Sequence, residues 1–93
     1  MIRTFADKQT AAIFESHQVK RVPRGVQETA RRKLKMLDSV VTVESLRIPP
    51  GNRLERLKGE RAGQWSIRVN DQWRICFVWR GGHAFEVEIV DYH

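Results

Sequence analysis

The chain has 93 residues, 30% of them charged, and 17 Lys plus Arg against 11 Asp plus Glu leave a formal charge of +6. A chain this short hides only roughly 60 to 70% of its unfolded surface, which supports one sheet under one or two helices but excludes a second domain or a deep cofactor cavity. The longest apolar run, Ile75-Cys76-Phe77-Val78-Trp79, falls far short of the roughly 20 residues that cross a bilayer, so no membrane span is expected.

Cys76 has no second cysteine to pair with, and the start Met1-Ile2-Arg3-Thr4-Phe5-Ala6-Asp7-Lys8 lacks an apolar signal core. Both features predict a cytoplasmic protein without disulfides or a thiolate metal cluster. In chain order, Ile2 to Phe5 reads as a short strand. Asp7 is placed to cap a helix reaching about Ser16, with Ala11, Ile13 and Phe14 inward. Pro23 suits the first turn of a second helix, along which Val26, Ala30, Leu34, Leu37 and Val41 recur at helical spacing as an apolar stripe. The segment Arg47-Ile48-Pro49-Pro50-Gly51-Asn52 reads as a loop that sustains neither helix nor ladder.

Beyond the loop the period changes to two. Trp65, Ile67 and Val69 alternate with Ser66, Arg68 and Asn70. Trp73, Ile75, Phe77 and Trp79 alternate with Arg74, Cys76 and Val78, and Phe85, Val87 and Ile89 with Glu86, Glu88 and Val90. The short turns Asn70-Asp71-Gln72 and Arg80-Gly81-Gly82-His83 predict an antiparallel meander, and Leu54 to Lys58 supplies a candidate further strand. The expected fold is therefore a single α+β domain over residues 1–93, with two N-terminal helices packed on one face of a small, mainly antiparallel twisted sheet. The other face is expected to be open and charged, carrying Arg68, Arg74, Glu86 and Glu88, with cross-strand arginine–glutamate pairs as one arrangement.

The positive charge is concentrated in the first half. Lys20, Arg21, Arg24, Arg31, Arg32, Lys33 and Lys35 face only Glu28 between positions 20 and 35. They read either as a surface for RNA, the ribosome or a protein partner, or as the solvated side of an amphipathic helix. His17, His83 and His93 are scattered, and no metal-ligand spacing, nucleophile elbow or phosphate-cradling glycine loop occurs, so no metal or cofactor is expected. The available groups suit metal-free RNA cleavage, in which the ribose 2′-hydroxyl is the nucleophile. The protein then moves two protons and stabilises charge on phosphorus. His93, Arg74 and Lys58 fit those roles chemically.

The runs from Leu57-Lys58-Gly59 through Trp65-Ser66-Ile67-Arg68-Val69-Asn70, then Gln72-Trp73-Arg74-Ile75-Cys76-Phe77 and Val90-Asp91-Tyr92-His93, resemble the HigB toxins of the RelE/ParE superfamily. The resemblance extends over essentially the whole chain. It implies a RelE-like fold and a toxin of a type II toxin–antitoxin pair that cleaves messenger RNA in the ribosomal A site without a metal, inhibiting translation and growth. It implies as partners a HigA-type helix-turn-helix antitoxin, the 70S ribosome and its mRNA, and operator DNA only through the antitoxin. The family's catalytic positions fall on Lys58, Arg74, Asp91, Tyr92 and His93, with Gln72 where a neighbouring polar residue is expected. Arg68, on the charged face, is a further auxiliary candidate. Charge complementarity predicts acidic antitoxin contacts to Arg31, Arg32, Lys33 and Lys35.

One position departs from the pattern. Other members have a histidine three residues before the lysine, where this chain has Glu55. A carboxylate is a weak base that repels phosphate, which predicts a slower nuclease leaning on His93 and Asp91, with Glu55 a surface charge paired to Arg53 or Arg56. Strict alternation would also send Asp91 and His93 to the core side and Tyr92 to the Arg74 side, unless the strand end twists or bulges. Two other functions remain open at this point, a ParE-like gyrase inhibitor that needs no His93 and a non-enzymatic basic nucleic-acid-binding module.

Overall fold

The computed structural model describes residues 1–91. Helix α1 (Lys8–Phe14) and helix α2 (Arg24–Ser39) precede two 3-10 turns, Val43–Arg47 and Pro50–Asn52. Four strands follow: β1 (Glu55–Arg56), β2 (Gln64–Arg68), β3 (Trp73–Arg80) and β4 (His83–Asp91). The strands lie in sequence order in one antiparallel sheet. Ile13, Ala30, Leu34 and Leu37 from the helices pack with Ile67, Ile75, Phe77, Val87 and Ile89 from one sheet face, and all nine are fully buried. This is the expected α+β arrangement. No helix of the described residues is long and apolar enough to cross a membrane.

Asp7 caps α1 as its position predicts and also ties the helix to the sheet. One carboxylate oxygen accepts from Thr10 N at 2.7 Å and the other from the Thr10 hydroxyl at 3.0 Å, while that hydroxyl accepts from Ile89 N at 3.0 Å. Arg21 donates to the Ile89 carbonyl at 3.2 Å. Further along the same edge, Ala84 and Val87 bond in parallel to the segment Met1–Ala6. The predicted first strand is thus two isolated bridges and not a ladder, and it works with Thr10 and Arg21 to cover an edge that would otherwise recruit another chain. Asp7→Ala is expected to lower stability by about 1 to 2 kcal/mol, the cost of a lost cap, read as a shift of the urea midpoint without a change in slope. An unchanged midpoint would refute this role.

Three details differ from the sequence expectations. Val41 is 77% exposed because α2 ends at Ser39 and Val40 is extended, which takes position 41 out of helical phase. Val40 packs on the core instead. The Arg47–Asn52 region is not wholly irregular, since its prolines are accommodated beside and within the two 3-10 turns. Finally, β4 carries a bulge. Cys76 pairs with Glu88 but Val78 with Phe85, so Glu86 and Val87 together face Phe77. Glu86 has φ +52° and its N–H donates to the Thr4 hydroxyl at 2.8 Å. The extra residue reverses the alternation, placing Phe85 on the face opposite Val87 and Ile89, where the Arg80 guanidinium lies 4.5 Å from its ring centroid. Ala84 takes the inward place.

Candidate active site

Pairing register assigns the open face row by row, since directly opposed residues share a face. Glu55, Ser66, Cys76 and Glu88 form one row, and Arg68, Arg74 and Val90 the next. Leu57 bonds through its N–H to Gln64 O at 2.9 Å and packs with Cys76 and Val90 as a small apolar cluster on this face. That anchor explains the Leu-Lys-Gly spacing. Leu57 is buried, Gly59 turns the chain at φ +67°, and Lys58 between them is extended and exposed at the head of the 3-10 turn Gly59–Arg61.

Arg74 is half-buried and fixed at two points. Its Nε donates to Ser66 Oγ at 2.8 Å and its Nη2 to the Arg53 carbonyl at 2.9 Å, so strand β2 and the loop before β1 together orient one guanidinium. Arg68 stands directly opposite Arg74 and donates to Asp71. Two like charges opposed across a ladder cost stability, and they form a positive row at the end of the face next to the β2–β3 turn. The expected arginine–glutamate pairing does not occur among the described residues. Glu88 pairs with Arg61 at 3.2 Å, Glu86 is drawn into the bulge, and Glu55 forms no ion pair with Arg53 or Arg56.

Asp91 follows the strict alternation, opposite Trp73, and accepts from Gln72 Nε2 at 3.0 Å. Gln72 is in turn placed by Asn70, whose side-chain oxygen accepts from the N–H groups of Gln72 and Trp73 at 2.8 Å each. The structure therefore brings Glu55, Arg68 and Arg74 into neighbouring rows and joins Gln72 to Asp91 at the end of the sheet. Tyr92 and His93 lie outside the described residues. Cys76 sits fully buried in the same face, where burial pushes its thiol up, Arg61 and Arg74 oppose that shift, and Glu88 adds to it. It is a packing residue and not a nucleophile.

The basic helix region divides. Lys20 and Arg32 are exposed, and Lys35 is exposed with its ammonium 4.0 Å from the Phe14 ring centroid. Arg24 donates to Gln18 at 3.0 Å, Arg31 to the Ile13 carbonyl at the end of α1 at 3.3 Å, and Arg21 to Ile89. Lys33 is half-buried and donates to Asn52, which is itself fully buried. Burial lowers the Lys33 pKa, and the charges of Arg32 and Arg68 lower it further. Sequence reasoning missed Ser66, Arg53 and Asn52 as parts of the site. Ser66 left a signal, a small hydroxyl at an outward position between Trp65 and Ile67, whereas the Arg53 carbonyl could leave none.

The fold is one found in a toxin–antitoxin complex. It matches a chain of the YoeB–YefM complex from Staphylococcus aureus with a TM-score of 0.62 at 17% identity, covering all of this chain and 98% of that one. The family model for the RelE-like toxin of the type II toxin–antitoxin system HigB matches residues 3–93, and the chain belongs to that family. Toxin HigB-1 of Vibrio cholerae serotype O1 is 41% identical over 85 residues, 90% of each chain. Endoribonuclease HigB of Proteus vulgaris is 33% identical over an alignment of 97 positions that covers both chains completely.

Proposed function

We propose that this toxin is a metal-independent endoribonuclease that cleaves messenger RNA in the ribosomal A site, with the ribose 2′-hydroxyl as nucleophile. The observation that carries this reading is the Arg74 guanidinium, held by Ser66 and Arg53 on an open, positive sheet face. Charge that grows on phosphorus is best stabilised by donors fixed in advance, because they need not reorganise as the reaction proceeds. Arg74 and the exposed Lys58 would bind the non-bridging oxygens. His93 would exchange a proton with the 2′-hydroxyl or the leaving 5′-oxygen, with Asp91 and Tyr92 orienting it. The name of the Proteus relative favours RNA cleavage over gyrase inhibition or simple nucleic-acid binding.

The partner in this reading is a HigA-type helix-turn-helix antitoxin, through which alone the toxin would reach operator DNA. Expression without the antitoxin is expected to produce cuts confined to translated messages in arrested cells. Intact messages in arrested cells would sink the proposal. Glu55 lies opposite Ser66, the residue that holds Arg74, so a base installed at position 55 would stand beside the scissile phosphate. Glu55→His is expected to raise cleavage about tenfold or more, with a rise in rate centred near pH 6.5. A rate and pH profile equal to those of the parent would show that position 55 takes no part in proton transfer.

A further inference from the structure

The loop that orients Arg74 is gripped from its other side by the basic helix. Lys33 of α2 donates to the Asn52 side chain, and the next residue, Arg53, accepts from Arg74. One ammonium and one guanidinium are therefore bonded to consecutive residues of one loop, which links the basic helix to the Arg74 face. Asn52 cannot drift from this place, since its amide also donates to the Leu46 carbonyl at 3.1 Å and to Met36 Sδ at 3.1 Å. Arg68 completes the group from the sheet, where it stands directly opposite Arg74.

This cluster is poor in counter-charge. Among the described residues neither Arg32 nor Lys33 forms an ion pair, and Arg68 has only Asp71, whose side chain is 98% exposed. The Lys33 ammonium is half-buried and bonded only to a neutral amide among the described residues, a setting that a bound anion would stabilise. With Asp71 as its one carboxylate, on Arg68, the cluster suits a diffuse, singly charged phosphodiester.

We propose that Arg32 and Lys33 of α2, with Arg68 of β2, form a second phosphodiester subsite that holds the phosphate next to the one gripped by Arg74, so that the RNA strand crosses the Asn52–Arg53 loop toward α2. The subsite rests on the nuclease reading. Its ligand is the message, and ribosomal RNA offers the same chemistry, so the test must separate the two sources.

The test uses programmed ribosomes and messages in which one phosphodiester, 5′ or 3′ of the cleaved bond, is replaced by a neutral methylphosphonate. Parent toxin, Arg32→Gln and Lys33→Gln are compared, with thermal midpoints to confirm folding. Arg32→Gln removes an exposed charge without touching the Asn52 link. Each variant is expected to lower cleavage of the unmodified message about tenfold, the value of a charge-assisted contact. At one of the two flanking positions the methylphosphonate should cost the parent a similar factor and the variants nothing more. Losses that multiply at both positions would overturn the subsite and place these cations on ribosomal RNA. Failure of the parent toxin to cut any translated message would overturn the nuclease reading and the subsite with it.

Discussion

Arg74→Ala is expected to lower message cleavage by about 10²- to 10³-fold, the range found when one preorganised donor is removed from a site of developing negative charge. Stability should change far less. The variant removes one hydrogen bond to Ser66 Oγ and one to the Arg53 carbonyl, each worth about 1 kcal/mol net, and relieves the opposition of Arg68. Arg74→Lys separates charge from geometry. An ammonium keeps the positive charge but cannot span Ser66 and Arg53 while presenting a planar fork to phosphate. It should recover only a small part of the lost rate. Cleavage of a translated message by purified toxin, with urea unfolding in parallel, makes the measurement. A loss of less than fivefold for Arg74→Ala would remove this residue from the mechanism, and a loss of cooperative unfolding would make it structural.

Phe77→Ala should have the largest effect on the fold itself. Phe77 is fully buried on β3, faces Trp65 on one neighbouring strand and the Glu86–Val87 bulge on the other, and meets Trp79 edge-on at 6.4 Å between ring centroids. Truncating such a ring leaves a cavity and costs about 3 to 5 kcal/mol. A 93-residue domain has only about 5 to 15 kcal/mol in all. The expected result is a urea midpoint lowered by at least about a fifth, and far more if the parent lies near the lower end of that range, with toxicity falling as the folded fraction does. A cost below about 1 kcal/mol would mean that the sheet and helices are not packed around this ring.

The helices and strands were legible because their determinants are local. Asp7 sits three residues before Thr10, Ala30-Leu34-Leu37 repeat at helical spacing, and the turns around Asn70 and Gly81-Gly82 separate period-two segments. The bulge was not legible, because Glu86 at positive φ is favoured by nothing in its neighbours; it is set by the Thr4 hydroxyl, 82 positions away in sequence. Phe85 was therefore assigned to the wrong face. The site shows the same division. Lys58, Arg74 and Asp91 stand in recognisable motifs, and the exposure of Lys58 follows from the buried leucine before it and the left-handed glycine after it.

Arg74 could instead have paired with Glu86 or Glu88, as charge alone suggested. The tertiary structure decided otherwise by bringing the Arg53 carbonyl and Ser66 Oγ within hydrogen-bond distance and giving Glu88 to Arg61. The bond from Lys33 to Asn52, 19 positions away, joins the basic helix to the loop that orients Arg74. By itself the sequence determined a small basic α+β domain without staples, the phasing of its helices and strands, and the residue types available for metal-free phosphate chemistry. Those follow from composition and from interactions within a turn or two of chain. Which cation is held rigid, which is paired off, and how the basic helix is joined to the loop behind Arg74 depend on contacts between distant segments, and only folding creates those.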